Sequence, residues 1–168
     1  MIGKIISFIG TATMVVMIVL GLAVFVPHLL GFSQYVVVSG SMEPAIPVGS
    51  LVFSKPVEPS ELEPGDVIVF YNANHNDTPV THRVVENHVA DGEIVTKGDA
   101  NTGNDLSPAP YERIEGKVSF HIPRIGYLVG PFGTVLGKIS AVMFIAAGYL
   151  LTMIGDNISK KRPERDRA

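Results

Sequence analysis

Two long apolar stretches lie near the ends of this 168-residue chain, and short alternating runs of apolar and polar residues lie between them. The first stretch, residues 5–26, has no charged residue and is long enough to cross a bilayer as a helix, which takes about 20 apolar residues. The second, residues 134–154, carries one charge, Lys138, near its start, where a lysine ammonium can extend to the interface. The pattern predicts a membrane anchor over residues 1–30 and a second transmembrane helix over residues 132–156.

Each stretch has an alternative interpretation. The first could be a cleavable signal peptide, but such a core is usually about 7 to 15 residues long, and no small-x-small cleavage site follows this one. The second could be a buried or surface-lying helix, but residues 139–154 are apolar on every face and offer no polar stripe to a headgroup layer. Transmembrane helices are therefore the favoured interpretation of both.

Basic residues flank both stretches and predict how they cross. Lys4 precedes the first, and the second is followed by Lys160, Lys161, Arg162, Arg165 and Arg167. Positive flanks favour the cytoplasmic side, so we expect both termini in the cytoplasm and residues 31–131 on the extracytoplasmic or lumenal side. Residues 157–168 are expected to form a basic cytoplasmic tail without structure of its own. Residues 31–130 contain 13 acidic and 6 basic residues, which fits a translocated domain.

The segment between the stretches, residues 31–131, is predicted to be β-rich. Its apolar runs are short, rich in β-branched residues and separated by Gly, Pro, Asn and Asp clusters, and they lie at residues 35–38, 51–53, 67–70, 80–85 and 94–95. Asp91-Gly92 predicts a hairpin turn, because glycine accepts positive φ without steric cost. The expected fold class is mainly β, a small antiparallel barrel or sandwich flanked by N- and C-terminal transmembrane helices.

Composition excludes several kinds of chemistry. The sequence has no cysteine, which rules out disulfides, thiolate catalysis and cysteine-based metal sites. The histidines have no zinc-site spacing, so we expect neither a metal nor a cofactor. A net charge of −3, with no basic stripe before the C-terminal tail, gives no reason to expect a nucleic-acid partner.

Three segments contain residues suited to catalysis. They are residues 39–44 (Ser-Gly-Ser-Met-Glu-Pro), residues 81–85 (Thr-His-Arg-Val-Val) and residues 97–105 (Lys-Gly-Asp-Ala-Asn-Thr-Gly-Asn-Asp). Taken singly, each has an ordinary structural explanation as a turn, a strand with one histidine, and a polar loop.

In this order the three segments resemble the membrane-bound signal peptidase I family. They are most similar to its archaeal and endoplasmic-reticulum-type branch, which has histidine where the bacterial branch has lysine. Residues 65–70 (Gly-Asp-Val-Ile-Val-Phe) resemble a structural strand box of the same family, and the resemblance covers about residues 35–130 and the preceding anchor. It implies a serine endopeptidase that removes signal peptides from exported preproteins, with Ser41 as the nucleophile, His82 as the general base and Asp105 and Asp99 as the acidic positions.

The residue chemistry agrees with this resemblance. A serine hydroxyl is a weak nucleophile at neutral pH and needs a neighbouring base, and a histidine with an ordinary pKa near 6.5 suits that task. An acidic partner would hold the imidazole in one tautomer. We expect Asp105 to be that partner and keep Asp99 as the second choice. A Ser–Lys dyad using Lys55 or Lys97 is the alternative.

An oxyanion hole is also required. The backbone N–H of Ser41 is the expected first donor, because the chain turns at Gly40. The family resemblance implies the hydroxyl of Ser39 as the second donor, although Ser39 could equally cap a turn.

The substrate is expected to bind as an added strand beside the nucleophile. Tyr35, Val38 and Met42 are the predicted contacts, unless these apolar residues simply fill the core. Ser41 follows Leu30 by eleven residues, a reach of at most about 36 Å, so the nucleophile must stay near the membrane surface. The expected partners are secretory preproteins and membrane lipid, with the protein translocation machinery as a further candidate.

Two other functions fit the same sequence. One is a dedicated processing protease for a single surface-protein precursor. The other is a non-catalytic membrane-anchored β module, which would have no need of Ser41, His82, Asp99 and Asp105 together. The membrane is expected to be a cell membrane or the endoplasmic reticulum.

Overall fold

A computed structural model describes residues 1–72 and 78–165 of the chain, with side chains described up to residue 160. The chain divides into two compact units, Val26–Leu128 and the two terminal segments Met1–Phe25 with Val129–Ala168. The elements in chain order are α1 (Ile2–Leu29), β1 (Ser33–Val36), β2 (Leu51–Lys55), β3 (Val67–Asn72), β4 (Thr78–His88), β5 (Glu93–Lys97), β6 (Ala109–Pro110), β7 (Ile114–Ile122), α2 (Gly126–Val129) and α3 (Val135–Arg165).

The terminal unit is built from α1 and α3. Both are long and apolar enough to cross a membrane, and only 11% of the residues in the apolar window of each are buried. The core helix of a soluble protein would be mostly buried, so the exposed apolar side chains point to a lipid surrounding. Helix α1 ends where Gly31 adopts a φ of +80°, a conformation that favours glycine and stops a helix.

Glycines bring α1 and α3 into backbone contact. A Cβ on Gly10 would lie 2.5 Å from the carbonyl oxygen of Gly148, and a Cβ on Gly148 would lie 2.8 Å from that of Gly10. Gly3 and Gly155 repeat the arrangement seven residues away on each helix, each Cβ position lying 2.6 Å from the other's carbonyl oxygen. Small residues of this kind let membrane helices approach closely. Each of these contacts would be lost with any larger side chain.

The C-terminal tail differs from the prediction. Helix α3 continues through Arg165, so most of the segment expected to be an unstructured tail is helical. Lysine and arginine at residues 160–162 are good helix formers and extend a helix that is already nucleated. The side chains of Lys161, Arg162 and Arg165, and the whole of Arg167, lie outside the described residues.

The described residues of the unit from Val26 to Leu128 form an antiparallel seven-stranded sheet. The strand order is β1-β2-β7-β3-β4-β5-β6. The predicted fold class, a mainly β domain flanked by N- and C-terminal apolar helices, is confirmed. The Asp91-Gly92 turn is confirmed as well, with Gly92 at a φ of +67° between the paired strands β4 and β5. Strands β6 and β7 were missing from the sequence prediction.

Each face of the sheet has its own core. Ile68 and Phe70 of β3 belong to one buried cluster, and Val69 between them belongs to the other. Successive side chains of a strand point to opposite faces, so β3 is covered on both sides. The strand next to it, β4, carries His82 near its centre.

Candidate active site

His82 lies near the middle of β4, the strand beside the central strand β3. It pairs with Ile68 of β3, and its ring meets the ring of Phe70 edge-on with centroids 6.3 Å apart. The residue is 8% exposed. An imidazole set on a central strand against an aromatic ring has little freedom to turn, which suits a base that must meet one particular proton.

Asp105 supplies the acidic partner of His82. Its Oδ2 lies 2.6 Å from Nδ1 of His82. An ionised carboxylate only accepts hydrogen bonds, so this contact requires the imidazole proton on Nδ1 and leaves Nε2 able to accept a proton. Asp105 belongs to the loop after β5, where its N–H donates to the carbonyl of Thr96 at 2.8 Å.

Ser41 comes to the same place from the turn after β1. Its carbonyl accepts a hydrogen bond from the N–H of Ala100 at 2.8 Å, which ties the turn to the loop after β5. The surroundings of Gly98 show how closely the Ser41 turn, the loop after β5 and His82 pack. A Cβ built on Gly98 would lie 2.7 Å from the carbonyl oxygen of Ser41 and 3.0 Å from Nε2 of His82. Nε2 of His82 and the backbone carbonyl of Ser41 therefore both lie against the same residue, Gly98.

Ser39 lies beside the nucleophile candidate. The two hydroxyl oxygens of Ser39 and Ser41 are 3.4 Å apart. This position is compatible with either predicted role of Ser39, an oxyanion donor or a turn-capping serine, because the hydroxyl can rotate its proton towards either partner.

Asp99 is held by a different residue. Its two carboxylate oxygens accept hydrogen bonds from Arg83, from Nε at 2.8 Å and from Nη2 at 2.6 Å. Hydrogen bonding from Arg83 lowers the pKa of Asp99, and the same bonds raise the pKa of Arg83. Arg83 also donates to the carbonyl of Gly65 at 2.7 Å. Of the two predicted acidic positions, Asp105 contacts the imidazole directly, and Asp99 fastens the loop to β4.

Sequence reasoning did not assign a role to Arg83 or Thr96. Arg83 stands next to His82 in the same segment, and that adjacency was the signal available. Thr96 gave no signal, because a threonine in a β-branched run is an ordinary strand residue. Its importance rests on the hydroxyl, which donates to Oδ2 of Asp105 at 2.6 Å.

The two alternative lysine bases have different surroundings. The ammonium of Lys55 lies 4.5 Å from the ring centroid of Phe32. Lys97 pairs with Arg83 in the sheet, next to Thr96. Because neighbouring residues of a strand point to opposite faces, Lys97 points away from the face on which Thr96 meets Asp105.

The three predicted substrate contacts have different surroundings. Val38 is 85% exposed and stands one residue before Ser39. Tyr35 is half-buried on β1, and burial raises the pKa of its phenol, with hydrogen bonding to Tyr71 adding to the effect. Met42 is 1% exposed and packs in a core cluster. The alternative that Met42 fills the core describes it better than a role as a substrate contact, because a side chain without exposed surface cannot meet a peptide.

Comparison with known proteins identifies relatives of this chain. A family model described as "Signal peptidase, peptidase S26" matches residues 7–100. The signal peptidase complex catalytic subunit SEC11 of Lachancea thermotolerans is 38% identical over 107 residues, covering 55% of this chain and 61% of that protein. Signal peptidase I W of Bacillus subtilis is 37% identical over 102 residues, covering 58% of this chain and 52% of that protein. The chain thus spans between about half and three fifths of the length of these curated relatives.

Proposed function

Because the chain belongs to the signal peptidase family, peptidase S26, we propose that it is a membrane-anchored serine endopeptidase that removes signal peptides from exported preproteins. One observation carries the catalytic part of the proposal. His82 is bound through Nδ1 to Asp105 at 2.6 Å, and its Nε2 and the backbone carbonyl of Ser41 both lie against Gly98. An imidazole oriented by a carboxylate and placed next to the turn that carries Ser41 supports a serine nucleophile with a histidine base.

In the proposed mechanism Ser41 attacks the carbonyl carbon of the scissile peptide bond. Nε2 of His82 takes the hydroxyl proton as the bond forms, and Asp105 stabilises the resulting imidazolium without taking the proton itself. When the tetrahedral intermediate collapses, His82 returns the proton to the leaving amine. Water then repeats the sequence on the acyl-enzyme and frees Ser41.

The negative oxygen of the tetrahedral intermediate needs donors close to Ser41. We assign the backbone N–H of Ser41 and the hydroxyl of Ser39 to this task, since Ser39 Oγ lies 3.4 Å from Ser41 Oγ. Loss of one such donor costs about 10² to 10³ in turnover.

The peptide substrate would bind along β1. This strand is at one end of the strand order formed by the described residues, so one of its edges has no neighbouring strand. Val38, exposed just after that strand, and Tyr35 within it are the residues expected to meet substrate side chains. Main-chain hydrogen bonds along the edge would hold the scissile bond beside Ser41.

The membrane helices fit the substrate class. A signal peptide keeps its apolar core in the bilayer, so a protease anchored by α1 and α3 works where the cleavage site emerges. We propose that both termini are cytoplasmic and that the β unit is extracytoplasmic or lumenal, following the basic residues beside both helices. Secretory preproteins and lipid are the proposed partners, and the translocation machinery is a proposed neighbour.

The test is cleavage of a labelled preprotein by membranes containing the wild type, Ser41→Ala, His82→Ala or His88→Ala. We expect the first two variants to lose several orders of magnitude of activity, as members of one catalytic unit do. His88 is the matched control, because it lies on the same strand but pairs on the surface with Glu86 and Glu93. His88→Ala should therefore cleave like the wild type.

Other outcomes identify the competing functions. Cleavage that survives Ser41→Ala would exclude this nucleophile. A wild type that cleaves nothing and does not react with a serine-directed acylating probe would be a non-catalytic module. Cleavage of only one among several unrelated preproteins would indicate a dedicated processing protease.

A further inference from the structure

Thr96 is a fully buried residue of β5 whose hydroxyl has no part in the mechanism described above. It is 0% exposed and belongs to the sheet, paired with Val84 of β4. Its hydroxyl donates to Oδ2 of Asp105 at 2.6 Å, and its carbonyl accepts the N–H of Asp105 at 2.8 Å. The side chain and the backbone of Asp105 are thus both tied to this one residue.

The oxygen that Thr96 binds is the oxygen that faces the imidazole. Oδ2 of Asp105 receives the hydroxyl of Thr96 and Nδ1 of His82, each at 2.6 Å. Asp105 belongs to a loop, and a bond to His82 alone would leave its carboxylate some freedom to rotate about its side-chain bonds. A second donor that is fixed in a sheet removes that freedom and stabilises the ionised carboxylate.

We propose that Thr96 is a positioning residue, which acts through its hydroxyl to hold Asp105 in the orientation that fixes the tautomer of His82. The proposal rests on the proposed protease function of the same site. It requires a hydroxyl at position 96, so serine is an acceptable replacement and the isosteric valine is not.

The other charges near the imidazole can be kept constant in the test. Asp99 is the second carboxylate whose charge acts on His82, and Arg83 is paired with it. Arg83 precedes Val84, the sheet partner of Thr96, and so points to the opposite face. Replacing Thr96 by valine removes the donor to Asp105 and leaves the Asp99–Arg83 pair in place.

The experiment uses the full-length protein in lipid, with a labelled preprotein as substrate. Thr96→Val should lower kcat by about tenfold to hundredfold, in keeping with a lost hydrogen bond to a charged group, and leave KM within about twofold. The pH midpoint of kcat/KM should move upward, because a carboxylate with one donor fewer attracts the proton of His82 more strongly. Thr96→Ser should restore kcat to within about threefold of the wild type.

Ser54→Ala is the matched control. Ser54 is also a fully buried hydroxyl residue of the sheet, but among the described residues its Oγ has no hydrogen-bond partner. Its loss should leave kcat and the pH midpoint unchanged. A drop in kcat for Ser54→Ala equal to that of Thr96→Val would mean that any change in the core disturbs the enzyme, and would overturn the proposal.

A second measurement does not depend on catalysis. In protein with ¹⁵N-labelled histidine, the Nδ1–H resonance of His82, identified by its absence from His82→Ala, should move in Thr96→Val and return in Thr96→Ser. If Thr96→Val keeps the wild-type kcat, or loses activity without moving the resonance or the pH midpoint, Thr96 is not a positioning residue. If the resonance responds as expected but the wild type cleaves no preprotein, the hold of Thr96 on Asp105 stands and the protease function fails.

Discussion

Gly98→Ala adds one methyl group in the loop after β5, close to both Ser41 and His82. The new Cβ would lie 2.7 Å from the carbonyl oxygen of Ser41, 2.9 Å from Nδ2 of Asn101 and 3.0 Å from Nε2 of His82. Ordinary van der Waals contact begins at 3.4 Å. The Ser41 carbonyl must therefore retreat by about 0.7 Å, and the imidazole by about 0.4 Å, or the loop must move by a comparable amount.

Displacements of this size are costly for proton transfer. A misplacement of about 1 Å between reacting groups costs about 10² in rate, so we expect kcat to fall about hundredfold with KM little changed. The free energy of unfolding should change less than the steric contacts alone would suggest. Gly98 is not in the left-handed region, so alanine gains about 0.4 to 1 kcal/mol from a less flexible unfolded chain, and this gain offsets part of the steric cost.

The assay is preprotein cleavage at saturating substrate, with thermal unfolding measured on the same samples. Gly103→Ala is the control, since Gly103 lies in the same loop, also outside the left-handed region, and its Cβ would have nothing within 4 Å. It should cleave like the wild type. A Gly98→Ala enzyme within twofold of the wild type would refute the geometry, and an equal loss for Gly103→Ala would show only that the loop tolerates no change.

Three further predictions follow from the contacts of the site and the sheet. Asp105→Asn should lower kcat by about 10³ to 10⁴, because an amide no longer stabilises the imidazolium of His82; single-turnover cleavage measures this, and a loss below about tenfold would contradict the role of Asp105. Asp99→Asn should destabilise the fold at pH 7, because Arg83 lowers the pKa of Asp99 and the ionised carboxylate therefore stabilises the folded protein. The difference in stability from the wild type should close below about pH 4, where the carboxylate becomes protonated. Thermal unfolding at pH 7 and pH 3 measures this difference, and a constant difference would contradict the prediction. Ser54→Ala should raise the free energy of unfolding by about 1 kcal/mol, because it removes a buried hydroxyl without a partner; a lower stability in chemical unfolding would show that Ser54 has a partner after all.

Much of the β unit could be predicted from local sequence. Runs such as residues 67–70 and 80–85 are β-branched, and the Asp91-Gly92 turn needs only glycine's tolerance of positive φ. Strand β7 was missed because Gly116 interrupts its pattern. That glycine is required by the close passage of the Lys55 backbone, since a Cβ there would meet the Lys55 carbonyl. A contact between strands so distant in sequence leaves no local signal.

The site was predictable as a set of segments and not as a set of contacts. The order of the serine, histidine and aspartate segments carries the family resemblance. Which aspartate meets His82 depends on the path of the loop between Asp99 and Asp105, and on Arg83 binding the first of them. The sequence could not decide between the two roles of Met42, because an apolar residue next to a nucleophile has the same appearance in sequence whether it faces a substrate or the core.

The backbone contact between α1 and α3 has a consequence for how substitutions are tolerated along the two helices. Lipid chains do not distinguish strongly among isoleucine, valine, leucine and phenylalanine, so outward positions of both helices should exchange these residues freely. Gly10 and Gly148 have no such freedom, because each lies against the other's carbonyl oxygen. In a saturation library of the two helices, the positions that tolerate substitution should therefore lie on the outer surface. The positions that tolerate none should be the contact glycines Gly3, Gly10, Gly148 and Gly155.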